Sequence, residues 1–200
     1  MNEASWNGTA NEVVDSSGAG KHGVALAGAS TTTGKIGNGG NFNTATKIVN
    51  LSSNVSLASS FTIAVWVLFP IPASASGWRT LVRGSLDHPV LVDGGGVWGV
   101  YDNATGTGFR SSGFNLNSLS GWHHLVAVGS GTTTTFYGDG SSTPLGTSPF
   151  KSNNAVSVFG NYSGGSQNFG RIDELGIWNR ALTTGEIATL YNGGSGLTWY

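Results

Sequence analysis

Two pairs of neighbouring residues are the natural places to look for chemistry in this chain: Asp173-Glu174 is an acid doublet, and His123-His124 sets two imidazoles side by side. A pair of carboxyl groups about 5–5.5 Å apart can hydrolyse a glycosidic bond with retention of configuration. Imidazole titrates near neutrality and ligates transition metals. Both doublets fall in stretches that read as strands, where successive side chains leave opposite faces. Neither pair should then converge on one bond or one ion, and the histidines read as hydrogen-bonded structural groups. Asp87, Asp93, Asp102 and Asp139 fall in expected turns. The absence of cysteine removes disulfides, thiolate metal sites and cysteine nucleophiles. Gly94-Gly-Gly96 and Gly37-Asn-Gly-Gly40 lack the lysine and following helix that would cradle a phosphate. The chain reads as a binding or structural protein and not as an enzyme.

Binding chemistry is concentrated between Gly77 and Arg110. Trp78, Trp98, Tyr101 and Phe109 lie there among Arg79, Arg83, Asp87, His88, Asp102, Asn103 and Arg110, in a stretch rich in glycine turns. Sugar sites combine aromatic faces with a few planar polar groups. Trp98, Tyr101, Asp102 and Arg110 are the expected contact surface for a glycan, whereas Trp66, Trp122 and Trp178 are expected in the core.

The elements that must hold such a surface are many short strands. Thirty-three glycines against five prolines in 200 residues, with ten acidic and nine basic side chains, give a chain poor in charge and rich in turns. In Phe61-Thr-Ile-Ala-Val-Trp-Val-Leu-Phe69 the odd positions share one apolar face, and Ala64, Trp66 and Leu68 the other. That two-sided pattern predicts a central strand. Trp122 to Val128 has the same character, with Leu125 and Ala127 opposite His124, Val126 and Val128. Further strands are expected at Phe42–Leu51, Arg79–Arg83, Val90–Val92, Val97–Tyr101, Thr133–Tyr137, Ala155–Gly160 and Phe169–Trp178, and a hairpin at Tyr137-Gly-Asp-Gly140. One helix is expected near the carboxyl end. Thr183 caps it, Glu186 completes a capping box, and Ile187, Leu190 and Tyr191 form its buried stripe. A formal net charge of −1 supplies no basic footprint for nucleic acid or anionic lipid. The longest apolar run, Phe61 to Ile71, is too short for a bilayer span. The chain is expected to be a single domain, 1–200, excised from a larger exported protein.

The run from Phe169 to Gly193 (FGRIDELGIWNRALTTGEIATLYNG) resembles the closing signature of laminin-G-like, concanavalin A-like jelly rolls. Glu3-Ala-Ser-Trp-Asn-Gly8, Val14-Asp-Ser-Ser-Gly18, Phe61-Thr-Ile-Ala-Val-Trp66 and Gly121-Trp-His-His-Leu-Val-Ala127 agree with that family in order. The resemblance implies an all-β, two-sheet antiparallel sandwich of the kind found as binding or adhesive modules of bacterial secreted and surface proteins. It implies non-catalytic recognition at the cell exterior, with a glycan or a surface protein as partner. Two other expectations accompany it: an adhesive or structural module of a surface fibre or virion and, less favoured, a glycoside hydrolase. By resemblance, a structural calcium is expected on Asp173 with the Asn38–Asn41 loop. Asn2 and Asn43 stand where relatives often carry acids, which would lower the charge of such a site. Gly138 replaces a branched residue.

Overall fold

The computed structural model describes residues 1–198. In chain order its strands are β1 (Gly23–Leu26), β2 (Ser30–Thr33), β3 (Asn38–Phe42), β4 (Ile48–Val55), β5 (Ser60–Phe69), β6 (Arg79–Arg83), β7 (His88–Val92), β8 (Val97–Asp102), β9 (Gly108–Asn115), β10 (Gly121–Ser130), β11 (Thr133–Gly138), β12 (Gly146–Ser148), β13 (Val156–Phe159) and β14 (Gly170–Trp178); α1 (Thr184–Tyr191) follows. They form two seven-stranded sheets, ordered β1-β4-β13-β6-β7-β8-β9 and β12-β11-β10-β5-β14-β3-β2. Every pairing is antiparallel. The expected jelly-roll sandwich is what the chain adopts; positions 199 and 200 of the expected single domain lie outside the described residues.

Alternation places the core. Phe61, Ile63, Val65, Val67 and Phe69 of β5 all enter the cluster between the sheets, joined from β10 by Leu125 and Ala127. From the other sheet Val82, Val90, Val92, Trp98 and Val100 meet them. The Trp98 and Phe136 rings touch across the gap, with centroids 4.5 Å apart. On the opposite face of β5 and β10, Ala64, Val126 and Val128 receive Ile187 and Leu190 of α1. The Thr183 hydroxyl accepts from the Glu186 backbone N–H, and the Glu186 carboxylate accepts from the Thr183 N–H, so the expected capping box is formed. Tyr191 lies over Trp66 at 5.6 Å with ring planes 22° apart, and Lys35 Nζ sits 4.7 Å from the same indole.

The chain departs from expectation in several places. Phe42–Leu51 is two strands in different sheets, since the chain crosses between β3 and β4. Gly108–Asn115, unassigned in the sequence, is edge strand β9. Asp139 and Gly140 take the positive φ values expected of an Asp-Gly turn, 49° and 68°. They open a loop, however, and β12 begins only at Gly146. Trp122 is half-exposed. His123 Nδ1 meets Asp139 Oδ2 at 2.7 Å, as a structural histidine should. His124 is buried against Trp66, and its Nδ1 has no hydrogen-bond partner among the described residues.

Candidate ligand-binding site

The four residues expected to bind together are divided by the pleat of β8. Trp98, Val100 and Asp102 share the inner face, and Tyr101 leaves the outer one. Trp98 is 1% exposed and packed on Phe136, so its ring is core and unavailable for stacking on a sugar. Asp102 is equally buried and serves a turn, accepting from the Thr105 N–H at 2.8 Å and from the hydroxyls of Thr105 and Thr107. Burial would raise its pKa, but those hydrogen bonds outweigh burial and hold it below the ordinary carboxylate range. Arg110 pairs with Val100 in register and therefore follows the inner parity, half-buried at the sheet edge, where its charge also favours the ionised Asp102. Only Tyr101 of the four lines an open recess.

That recess lies on the outer face of the first sheet. It holds about 450 Å³ and is lined by Arg83, Leu86, His88, Tyr101, Asn103 and Tyr162. Beside it an aromatic platform is built from Trp78, which immediately precedes β6, and from the paired strand positions Tyr101 and Phe109. Trp78 meets Tyr101 and Phe109 edge-on, each at 5.3 Å. Gly99 faces the same side between them; a Cβ there would stand 2.6 Å from Phe109 Cε2, so the platform requires glycine. His88 bridges to Tyr101 at 6.0 Å and to Tyr162 at 5.5 Å. The Arg83 guanidinium lies 4.0 Å from the Tyr162 ring.

A directed hydrogen-bond chain fixes the floor. Arg83 Nε donates to His88 Nε2 at 3.2 Å. The other ring nitrogen, Nδ1, then carries the proton and donates to Thr80 Oγ1 at 2.7 Å. Thr80 in turn donates to Gln167 Oε1 at 2.6 Å. Burial, and secondly the charge of Arg83, push the His88 pKa down to about 3, so the ring is neutral across the physiological range. The rim is equally constrained. Asn154 Oδ1 accepts from the N–H groups of Leu86 and Asp87, and Asn103 Nδ2 donates to the Leu86 carbonyl. Leu86 itself is 48% exposed.

Of these groups, Trp78, Arg83, His88, Asn103 and Phe109 lie in the stretch already marked by the sequence. Tyr162 and Gln167 were missed, because they come from the β13–β14 connection, nearly a full chain turn away, and no local pattern announces them. Among the described residues no carboxylate lines the recess.

Asp173 lies elsewhere, in the second sheet. The register of β14 against β5 slips between Asp173 and Gly176, and Glu174 takes a left-handed φ of 47°. The bulge overturns the simple alternation expected of the doublet: both acids are buried, and Glu174 senses the charge of Asp173. Asp173 accepts from the N–H groups of Ile36 and Glu174, each at 2.8 Å, and burial still raises its pKa. Burial first, then Asp173, push Glu174 up to about 7. Neither forms an ion pair with Lys or Arg among the described residues; Arg180 is paired with Glu186. The Asn38–Asn41 segment expected as a loop lies in β3, and the two carboxyls stand instead beside Asn2 and the Gly34–Gly37 turn, where the positive amino terminus favours their ionised forms. Such oxygen donors fit a hard cation in chemistry. No group of three His, Cys, Asp or Glu side chains occurs among the described residues, so amide and carbonyl oxygens would have to complete such a site.

The same sandwich recurs in solved structures at low identity, which establishes likeness of fold. Domain 4 of AbnA, an extracellular arabinanase of Geobacillus stearothermophilus solved with arabinotriose, matches at TM-score 0.66 and 17% identity over 88% of this chain and 91% of that one. The binding domain of Paraclostridial Mosquitocidal Protein 1 matches at 0.63 and 19% over 90% of this chain and 49% of that one. The receptor binding domain of botulinum neurotoxin C/D mosaic serotype matches at 0.64 and 14% over 94% of this chain. This chain spans about half the length of each of the last two. A search of curated protein sequences returns no match. The sequence profile of Laminin_G_3 matches residues 37–188, and the chain therefore belongs to that family of the concanavalin A-like lectin/glucanases superfamily.

Proposed function

We propose that this protein is a non-catalytic carbohydrate-binding module working outside the cell, and that it meets its ligand on the outer face of the first sheet. One observation carries the reading: Trp78, Tyr101, Phe109 and Tyr162 gather around a preformed recess that also holds Arg83 and Asn103. Aromatic faces stack on sugar C–H surfaces, and planar polar groups order the hydroxyls. A recess without carboxylates has no acid–base pair for glycoside hydrolysis, which supports a binding role. Domain 4 of AbnA, which is similar in fold, was solved in complex with arabinotriose, and that supports the reading. Among the described residues no helix is long and apolar enough to cross a membrane.

Calcium belongs to the same proposal. Asp173 and Glu174, with Asn2 and carbonyls of the Gly34–Gly37 turn, would hold it. There it would supply positive charge to two buried carboxyls and tie the amino-terminal segment to β14.

A glycan array probed with the purified chain, followed by titration of the best binder into Tyr101→Ala, tests the function. Binding to a saccharide that weakens in the variant supports it. Binding to no polysaccharide, with specific retention of a partner protein, would favour the adhesive module instead.

A further inference from the structure

We infer that the recess selects saccharides bearing a carboxylate, with Arg83 as the counter-ion; this deepens the carbohydrate reading and rests on it. Among the described residues the lining contains one permanent cation and no anion. Arg83 forms no salt bridge among the described residues, where the ion pairs are His123–Asp139 and Arg180–Glu186. The acid nearest to it along the chain is already committed: Asp87 Oδ1 accepts from the N–H groups of Asn103 and Ala104, and Oδ2 accepts from the Ser152 hydroxyl. Asp87 is buried beneath the rim, with its oxygens held by Asn103, Ala104 and Ser152, and it makes no ion pair with Arg83.

Arg83 is also pre-aimed. Its Nε donor goes to His88 and one Nη1 donor to the Gly84 carbonyl, while Nη2 has no partner among the described residues. Tyr162 covers one face of the guanidinium. The group is thus half stripped of water and rotationally fixed, with donors left over toward the recess. A neutral sugar can accept hydrogen bonds there but leaves the charge uncompensated. A carboxylate neutralises it through charge-assisted bonds about twice as strong as neutral ones. His88, which accepts from Arg83, adds no second positive charge, so one acidic group balances the site.

Isothermal titration of the full chain with tetragalacturonate and with its methyl ester isolates the carboxylate while keeping the sugar. A second arm compares 3′-sialyllactose with lactose, and the arm that responds distinguishes a uronate from a nonulosonate source. The free acid is expected to bind about tenfold tighter than its neutral counterpart in at least one arm. That preference should shrink as salt rises from about 0.05 to 0.5 M, vanish in Arg83→Gln and survive in part in Arg83→Lys. Should Arg83→Gln fail to fold, the acid–neutral comparison and the salt series on the unmodified chain decide the matter alone. Equal binding of acid and neutral forms, or array binders that are all neutral, overturns the selection by charge and leaves the carbohydrate function standing. Binding to no saccharide on the array or in either arm overturns both.

Discussion

Arg83 Nε sits 3.2 Å from His88 Nε2, and through that contact the proton of the imidazole is assigned to Nδ1. Through Nδ1 the ring donates a hydrogen bond to Thr80 Oγ1, and the chain ends on Gln167. A neutral, buried histidine therefore stands under the recess, oriented at both nitrogens by groups from β6 and from the β13–β14 connection.

Acid should loosen the fold through two histidines. Burial holds His88 near 3 and His124 near 4, both below the ordinary value of 6.5. Below about pH 6.5 the unfolded chain binds protons that the folded chain refuses, so this contribution to stability is complete above that pH and drains away as pH falls toward 4 and then 3. The melting temperature is expected to fall steadily between pH 6.5 and 4, and less steeply in His88→Gln and His124→Gln. Equal slopes in the parent and in both variants would contradict the assigned protonation states.

Glu174 acts in the opposite sense. With its folded pKa near 7, above the usual 4.5, it favours the folded state at low pH, and that contribution is lost as pH rises through 7. Glu174→Gln should gain melting temperature relative to the parent at pH 8 more than at pH 5. Calcium bound only by the folded state raises the melting temperature at pH 8, and the increment should disappear with a chelator and in Asp173→Asn. An identical melting temperature with and without calcium would remove Asp173 from any metal site.

Truncation of the aromatic rings separates platform from core. Trp98→Ala should cost about 3–5 kcal/mol of stability, read from urea unfolding, because the indole fills the space against Phe136. Trp78→Ala and Tyr101→Ala should leave the chain folded and weaken sugar binding roughly tenfold each, equivalent to ~1.4 kcal/mol. Loss of soluble protein in both would place these rings in the core instead.

Thr183→Ala removes one half of the capping box at the start of α1. A loss of about 0.5–2 kcal/mol is expected, with sugar affinity unchanged because α1 packs on the second sheet. Altered binding in this variant would show that the two faces are coupled.

The architecture was legible because burial on both sides leaves a plain record: β5 alternates without interruption, and each face found the partner its residues demanded. The cap of α1 was legible for a similar reason, since Thr183 and Glu186 bond to each other's backbone without help from elsewhere. The site was half legible. Trp98 and Tyr101 stand three positions apart on one strand, and the pleat alone should have set them on opposite faces. Composition of the segment drew both into one surface, and the pleat separates them. Tyr162 and Gln167 reach the recess by tertiary folding only. The bulge at Glu174 depends on a left-handed residue that is not glycine, a conformation that no side-chain pattern signals.

The stacking of Tyr191 on Trp66 gives the sandwich a front and a back. With α1 laid over β5 and β10 of the second sheet, the only α-helix among the described residues covers the middle of the broad face opposite the recess. Tethering chemistry directed at Lys35, on the helix side, would leave Trp78 and Tyr101 turned toward the solution, so an immobilised chain would be mounted with its ligand face outward.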